Sequence, residues 1–270
     1  MTRQIISSLS SLFLAPSGET GGLPSLVARL ASLVTAGLVV SLIFVFAFGH
    51  LRYGWNWEQI WAYKEKFFRG WLVTVGISAA ALVASLVIGV LAAVARRNRF
   101  LPLRYLAGLY VEVIRGTPLL VQILIFFYVV ADAFGLGNRY LVGTLTLALF
   151  AGAYLSEIIR AGIESVGVSQ LDSARAIGLT RTQTYCYVLF PQVVRQTLPP
   201  LAGQFASLVK DSSLLSIIAV SEFTLNAQEV NAYTYSTLES YLPLAFGYLL
   251  LTLPISLLSR RLEQVYRYET

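Results

Sequence analysis

Residues 170–191 read "QLDSARAIGLTRTQTYCYVLFP", and the reading of this stretch decides what kind of chain this is. It is polar and basic, yet apolar segments of membrane length flank it on both sides. A chain that only had to leave and re-enter a bilayer would need no more than a short turn. This stretch carries start and stop signals instead. Ser169-x-x-Asp172 has capping-box spacing, with a serine oxygen for a free amide and an acid in the first turn, where the helix dipole favours it. Gly178 is placed to take the left-handed conformation that closes such a helix. Thr180-x-x-Gln183 repeats the start signal, and its helix carries Tyr185, Val188 and Leu189 toward the membrane until Pro191 bends or interrupts it. The expectation is helix, glycine, helix: a rigid knob suited to docking against another protein. A solvated re-entry loop is the plainer alternative, but it leaves two caps and a stop without a purpose.

Composition agrees with the membrane setting. Of 270 residues, 56% are hydrophobic and 13% charged, with mean hydropathy +0.68. Soluble domains carry about 25% charged residues. Cys186 is the one cysteine and His50 the one histidine. An internal disulfide and a cysteine-clustered metal site are thereby excluded, and little is left for zinc or histidine acid–base chemistry. No cofactor, metal or nucleic-acid partner is expected. The chain has no G-x-x-x-x-G-K-[ST] phosphate loop, so it is not expected to hydrolyse ATP itself.

Six segments have the roughly 20 apolar residues that a bilayer core of about 30 Å requires. They are 30–49, 71–95, 115–131, 141–159, 193–220 and 241–258. The first is too long for the apolar part of a cleaved leader and is read as a retained span. With the amino terminus inside, 13 of the 20 basic residues fall on the cytoplasmic side, Arg96–Arg104 and the polar loop among them. That imbalance places both termini in the cytoplasm and residues 222–240 outside. The aromatic stretch 50–70, with three tryptophans and two tyrosines, fits an interfacial belt, part of it lying flat as a short amphipathic helix. Ser85, Gly89 and Ala93 share one face of the second span, where small side chains let helices approach closely.

The polar loop also carries a family resemblance. "DSARAIGLTRTQTYCYVLFPQ" resembles the cytoplasmic EAA loop of permease subunits from ATP-binding-cassette importers. The family's Glu-Ala-Ala reads Asp172-Ser173-Ala174 here, and Gly178 and Pro191 stand at the family's glycine and proline. "VIRGTPLLVQILIFFYV" (113–129), "AYLSEIIRAGIESV" (153–166) and "LPPLAGQFASLVKDSSLLSIIAVSEFT" (198–224) resemble the polar-amino-acid branch, with Gly203 where asparagine is common. Together the matches span about 71–263. The resemblance implies an all-α, polytopic permease of about six transmembrane helices in the bacterial inner membrane. Its domains would be a cytoplasmic segment 1–29, an additional span 30–49 and a permease domain 67–263 with its coupling loop at 164–191. It further implies that Asp172, Ser173, Ala174, Gly178, Leu179 and Pro191 contact an ATP-hydrolysing subunit. The implied partners are two ATP-binding subunits, a second permease subunit, identical or homologous, an external amino-acid-binding protein and membrane lipid. Alternating access is the implied mechanism.

Ionisable groups at membrane depth are costly, so they are candidates for function. Glu112 with Arg115 and Glu157 with Arg160 stand three apart, where a helical pair meets. Each reads either as a structural pair near the boundary or as part of a substrate path. Lys210 and Asp211 are adjacent and point to different faces, so each needs a partner on another helix, another subunit or a zwitterionic substrate. The path candidates are therefore Arg115, Thr117, Glu157, Lys210, Asp211 and Ser212; an interface or gating network is the competing reading for the adjacent pair. Arg115-Gly116-Thr117-Pro118 marks a break at the head of the third span. Three functions compete: an importer permease for a polar amino acid or another small polar solute, a membrane enzyme, and a channel or passive scaffold. The enzyme lacks raw material, and the channel has no use for a structured knob.

Overall fold

The computed structural model describes residues 26–50 and 53–266. These fall into two compact units, divided between Trp55 and Asn56. Most of the segment 1–29 therefore lies outside the described residues, as do Arg3, Arg52 and Arg267.

In the first unit, α1 (Leu26–His50) is apolar all round, without an acid in its first turn. The second unit is helical throughout, with no strand among the described residues. It comprises α2 (Trp57–Ala62), α3 (Lys64–Ala95), α4 (Leu101–Gly116), α5 (Leu119–Ile125, running on as a π-helix over Phe126–Ala131), α6 (Arg139–Glu164) and α7 (Val168–Ala176). It continues with α8 (Arg181–Gln183, then a π-helix over Thr184–Leu189), α9 (Phe190–Asp211, then a 3₁₀ helix over Ser212–Ile218), α10 (Phe223–Thr234) and α11 (Thr237–Tyr266).

Among the described residues, four helices are long and apolar enough to cross a membrane: α1, α3, α6 and α11. The bent pair α4–α5 makes a fifth if it is taken as one span. The remaining segment of the six expected, 193–220, becomes α9 and the 3₁₀ helix. At 22 residues α9 is about 33 Å long, but Gln192, Arg195, Gln196, Gln204, Lys210 and Asp211 make it more polar than the others. It also stops at Asp211, not at Val220.

Two further boundaries differ from the expectation. The second span starts at Lys64 because Glu65 and the apolar Phe67 and Phe68 continue the helix below Trp71, and the aromatic stretch before it forms the short helix α2, capped by the Asn56 side chain. The third starts at Leu101, not Arg115. α4 and α5 then meet at Thr117–Pro118 with a bend of 113°. The break is stitched by one side chain. The Gln122 amide donates to the Ile114 carbonyl at 2.7 Å, to the Thr117 carbonyl at 3.1 Å and to the Thr117 hydroxyl at 2.8 Å. In an apolar setting those freed carbonyls would otherwise be expensive.

The core lies where α3 crosses α6. Ser85, Gly89 and Ala93 are buried there, as their spacing suggested. A Cβ at Gly89 would stand 2.6 Å from the Leu155 Cβ, and one at Gly152 would stand 2.7 Å from the Ile88 Cγ2. The backbones thus approach as closely as only glycine permits. Ile123 and Leu119 of α5, Leu208 of α9 and Leu215 of the 3₁₀ helix complete this core. A smaller core joins α2, α3 and α10 through Ile60, Phe67, Phe223, Ala227 and Val230, with Leu244 and Tyr248 of α11 packed against it. On α9, the Ser259 hydroxyl of α11 donates to the Pro199 carbonyl at 2.9 Å, beside the two prolines that remove helical donors.

Candidate functional site

The knob is built much as its sequence promised. α7 ends in a Schellman motif: the Leu179 amide donates to the Ala174 carbonyl at 3.1 Å and the Gly178 amide to the Arg175 carbonyl at 3.0 Å. Gly178 has φ +80°, the left-handed conformation that this closure needs. The Thr180–Gln183 capping box forms in both directions. Two details differ. The N-cap of α7 is Gly167, without a side-chain cap, because the backbone turns into the helix two residues earlier than Ser169. Asp172 therefore lies beyond the first turn and pairs with Arg175 at 3.0 Å, both exposed. Pro191 does not end the helix. Helical residues run unbroken from Arg181 through the π-helical turn Thr184–Leu189 and past Pro191 into α9, and the wider π turn directly before the proline accommodates its missing N–H. Ala174 is buried under the knob; Asp172, Ser173 and Gly178 face outward, with Leu179 and Pro191 partly covered.

At the end of α6 the ionisable groups converge. Glu157 receives Arg160 at 2.7 Å from its own helix, Arg96 from the end of α3, and Arg115 from the end of α4 at 3.8 Å. Arg160 also binds Glu164. The expected Glu157–Arg160 pair is thus one edge of a cluster. The expected Glu112–Arg115 pair does not form: Arg115 turns to α6, its guanidinium 5.4 Å from the Tyr154 ring centre, where acid and aromatic face together outbid an exposed carboxylate. Thr117 donates to the Val113 carbonyl at 2.8 Å, at the α4–α5 break.

Lys210 is exposed and Asp211 half-buried, and neither makes an ion pair among the described residues. Ser212 is fully buried, its hydroxyl donating to the Val209 carbonyl at 2.8 Å. Arg115 meets Glu157 near the α4–α5 break, where Thr117 also lies, while Lys210, Asp211 and Ser212 follow one another where α9 gives way to the 3₁₀ helix.

Sequence reasoning missed Glu222. It is 0% exposed and caps α10. Its Oε1 accepts from the Leu225 amide at 2.8 Å, and its Oε2 from the Thr224 amide at 2.8 Å and the Tyr248 hydroxyl at 3.0 Å; the Thr74 hydroxyl stands at 3.4 Å. Burial pushes this carboxyl above its usual range, against the pull of those donors. The signal was present as an acid immediately before Phe223-Thr224-Leu225. Glutamate is not a preferred N-cap, and Thr74 and Tyr248 are distant in sequence, so nothing local marked it.

A helical membrane protein with a capped polar knob between apolar spans is the architecture of a membrane-embedded transport subunit. Residues 85–268 match the family model described as the inner membrane component of binding-protein-dependent transport systems. The chain belongs to that family; it is a membrane component of a transport system and not an enzyme. It is 37% identical over 201 residues to the probable glutamine ABC transporter permease protein GlnM of Bacillus subtilis (strain 168), covering 73% of this chain and 93% of that one. It is 37% identical over 193 residues to the L-cystine transport system permease protein TcyB of the same organism, covering 71% and 82%. Among solved structures, an amino acid ABC transporter crystallised with histidines matches with TM-score 0.73 and 31% identity, over 78% of this chain and 99% of that one.

Proposed function

We propose that this chain is the permease subunit through which an ATP-driven importer passes a polar amino acid across the inner membrane. The observation that carries the reading is the similarity to a glutamine permease over nearly that protein's whole length. The cystine permease and the amino acid ABC transporter crystallised with histidines support the same substrate class. An external binding protein delivers the amino acid, two ATP-binding subunits supply the work, and a second permease subunit, identical or homologous, completes the pathway. Both termini face the cytoplasm. The permease domain is 67–263, following a cytoplasmic segment and an additional span.

In this reading, closure of the ATP-binding subunits pushes on the knob, where Asp172, Ser173, Ala174, Gly178, Leu179 and Pro191 form or support the contact. The Schellman closure makes α7 a stiff lever, so a push on it moves the foot of α9 with little loss in the turn. The bundle then alternates between outward- and inward-facing states. Lys210 and Asp211, with Ser212 behind them, offer one cation and one anion to a zwitterion. Arg115, Thr117 and Glu157 sit at the α4–α5 break, where their polar side chains offer groups for a path lining.

The test is uptake into vesicles carrying the complex with its binding protein. Labelled glutamine uptake should need ATP and fall when unlabelled polar amino acids compete, while leucine or a sugar leaves it unchanged. Asp211→Asn should slow uptake about tenfold or more with the complex still recovered whole. Uptake competed by sugar alone would overturn the substrate class. Unchanged uptake in the variant would remove Asp211 from the path, and loss of the complex would make it a bracing residue.

A further inference from the structure

A cavity of about 650 Å³ opens between the end of α3, the first turns of α4 and the end of α6, lined by Arg96, Arg97, Arg104, Tyr105, Arg160 and Glu164 among others. Two of these arginines are already engaged, Arg96 on Glu157 and Arg160 on Glu157 and Glu164. Arg97 and Arg104 make no ion pair among the described residues and are exposed. Four guanidinium groups against two carboxylates leave the cavity positive.

Its place and its rim narrow the ligand. α3 and α6 are both membrane-length helices, and they end here at Ala95 and Glu164. The cavity therefore stands where hydrocarbon gives way to headgroups. Beside it α4 turns apolar side chains outward, with Tyr105 72%, Leu106 65% and Leu109 61% exposed. A soluble anion has no use for that surface. An amphiphile with a phosphate head and acyl chains matches both halves.

We propose that this cavity holds the headgroup of an anionic phospholipid, its phosphate received by Arg97 and Arg104 and its acyl chains running along Leu106 and Leu109. Arginine suits the task because its planar fork gives two donors to a phosphate while its charge is permanent. Arg96 and Arg160, fixed by their carboxylates, form the wall behind the head. The lipid would tie the α3–α4 elbow to the end of α6. Which leaflet supplies it follows from the orientation proposed above; the site itself does not depend on that orientation.

The test uses the full chain in symmetric nanodiscs that mix phosphatidylcholine with phosphatidylglycerol, released into detergent for native mass spectrometry. Wild-type protein should retain phosphatidylglycerol in preference to phosphatidylcholine. Arg97→Gln with Arg104→Gln should retain it about thirtyfold more weakly. Arg97→Lys with Arg104→Lys keeps the charge and should recover part of the preference, which separates lost binding from lost folding. Arg99→Gln, outside the cavity lining, should behave as wild type. Equal retention of the two lipids by wild type, or undiminished retention by the glutamine pair, would overturn the proposal. So would displacement of the lipid by inorganic phosphate, which would make this a site for a soluble anion. Because both leaflets are alike in the nanodisc, an error in the proposed orientation leaves these outcomes unchanged.

Discussion

Glu222 lies fully buried with no lysine or arginine within ion-pairing distance among the described residues. Two backbone amides and the Tyr248 hydroxyl hold it instead, with the Thr74 hydroxyl close by. Its carboxyl is raised by burial from the ordinary 4.5. The sign follows from linkage. A carboxyl that binds its proton more tightly when folded adds stability that is complete below the unfolded value and is lost as pH rises through the folded one. Glu222→Gln keeps the size and an accepting oxygen but cannot titrate. Thermal unfolding in detergent between about pH 4 and about pH 8 should show the wild type losing stability relative to the variant as pH rises. Parallel curves would mean that the group does not titrate in this window.

At the scale of elements, the closure of α7 rests on one backbone conformation. A Cβ at Gly178 meets nothing within 4 Å, so a side chain there costs backbone strain alone. That strain is about 1–2 kcal/mol for an L-residue held left-handed. Gly178→Val should therefore insert into the membrane and unfold at nearly the wild-type temperature, while ATP-driven uptake falls as the lever points elsewhere. Uptake and stimulated ATPase activity measured on one preparation check it. Wild-type values for both would show that the knob transmits nothing through this turn. The α4–α5 break works differently, because its carbonyls are held by Gln122 from the following helix, so the bend is a fixed corner.

For the whole molecule, the proposed orientation rests on the arginine distribution. Tyr235 is 87% exposed just after α10, and Arg99 is exposed in the α3–α4 elbow. In a Cys186→Ser background, a cysteine at position 235 should react with an impermeant reagent from outside intact cells. One at position 99 should react only after the membrane is opened. The reverse pattern would invert the topology.

The sequence by itself determined what depends on neighbours along the chain. The spans α1, α3, α6 and α11 were legible because apolar length is a local property. The Thr180 capping box and the Gly178 stop were legible because caps are read over four or five residues. The Ser169 cap failed at the same range: Gly167 opens the helix without a side chain, which no spacing announces. Tertiary structure alone decided the rest. Arg96 reaches Glu157 across 61 positions, and Thr74 meets Glu222 across 148. Arg115 chose Tyr154 and Glu157 over its near neighbour Glu112. Such pairings follow from which helices cross, and the close approach of α3 and α6 at Gly89 and Gly152 sets that crossing. Periodicity shows which face is apolar, but only packing says what that face meets, because a desolvated charge takes whichever partner the crossing brings within reach.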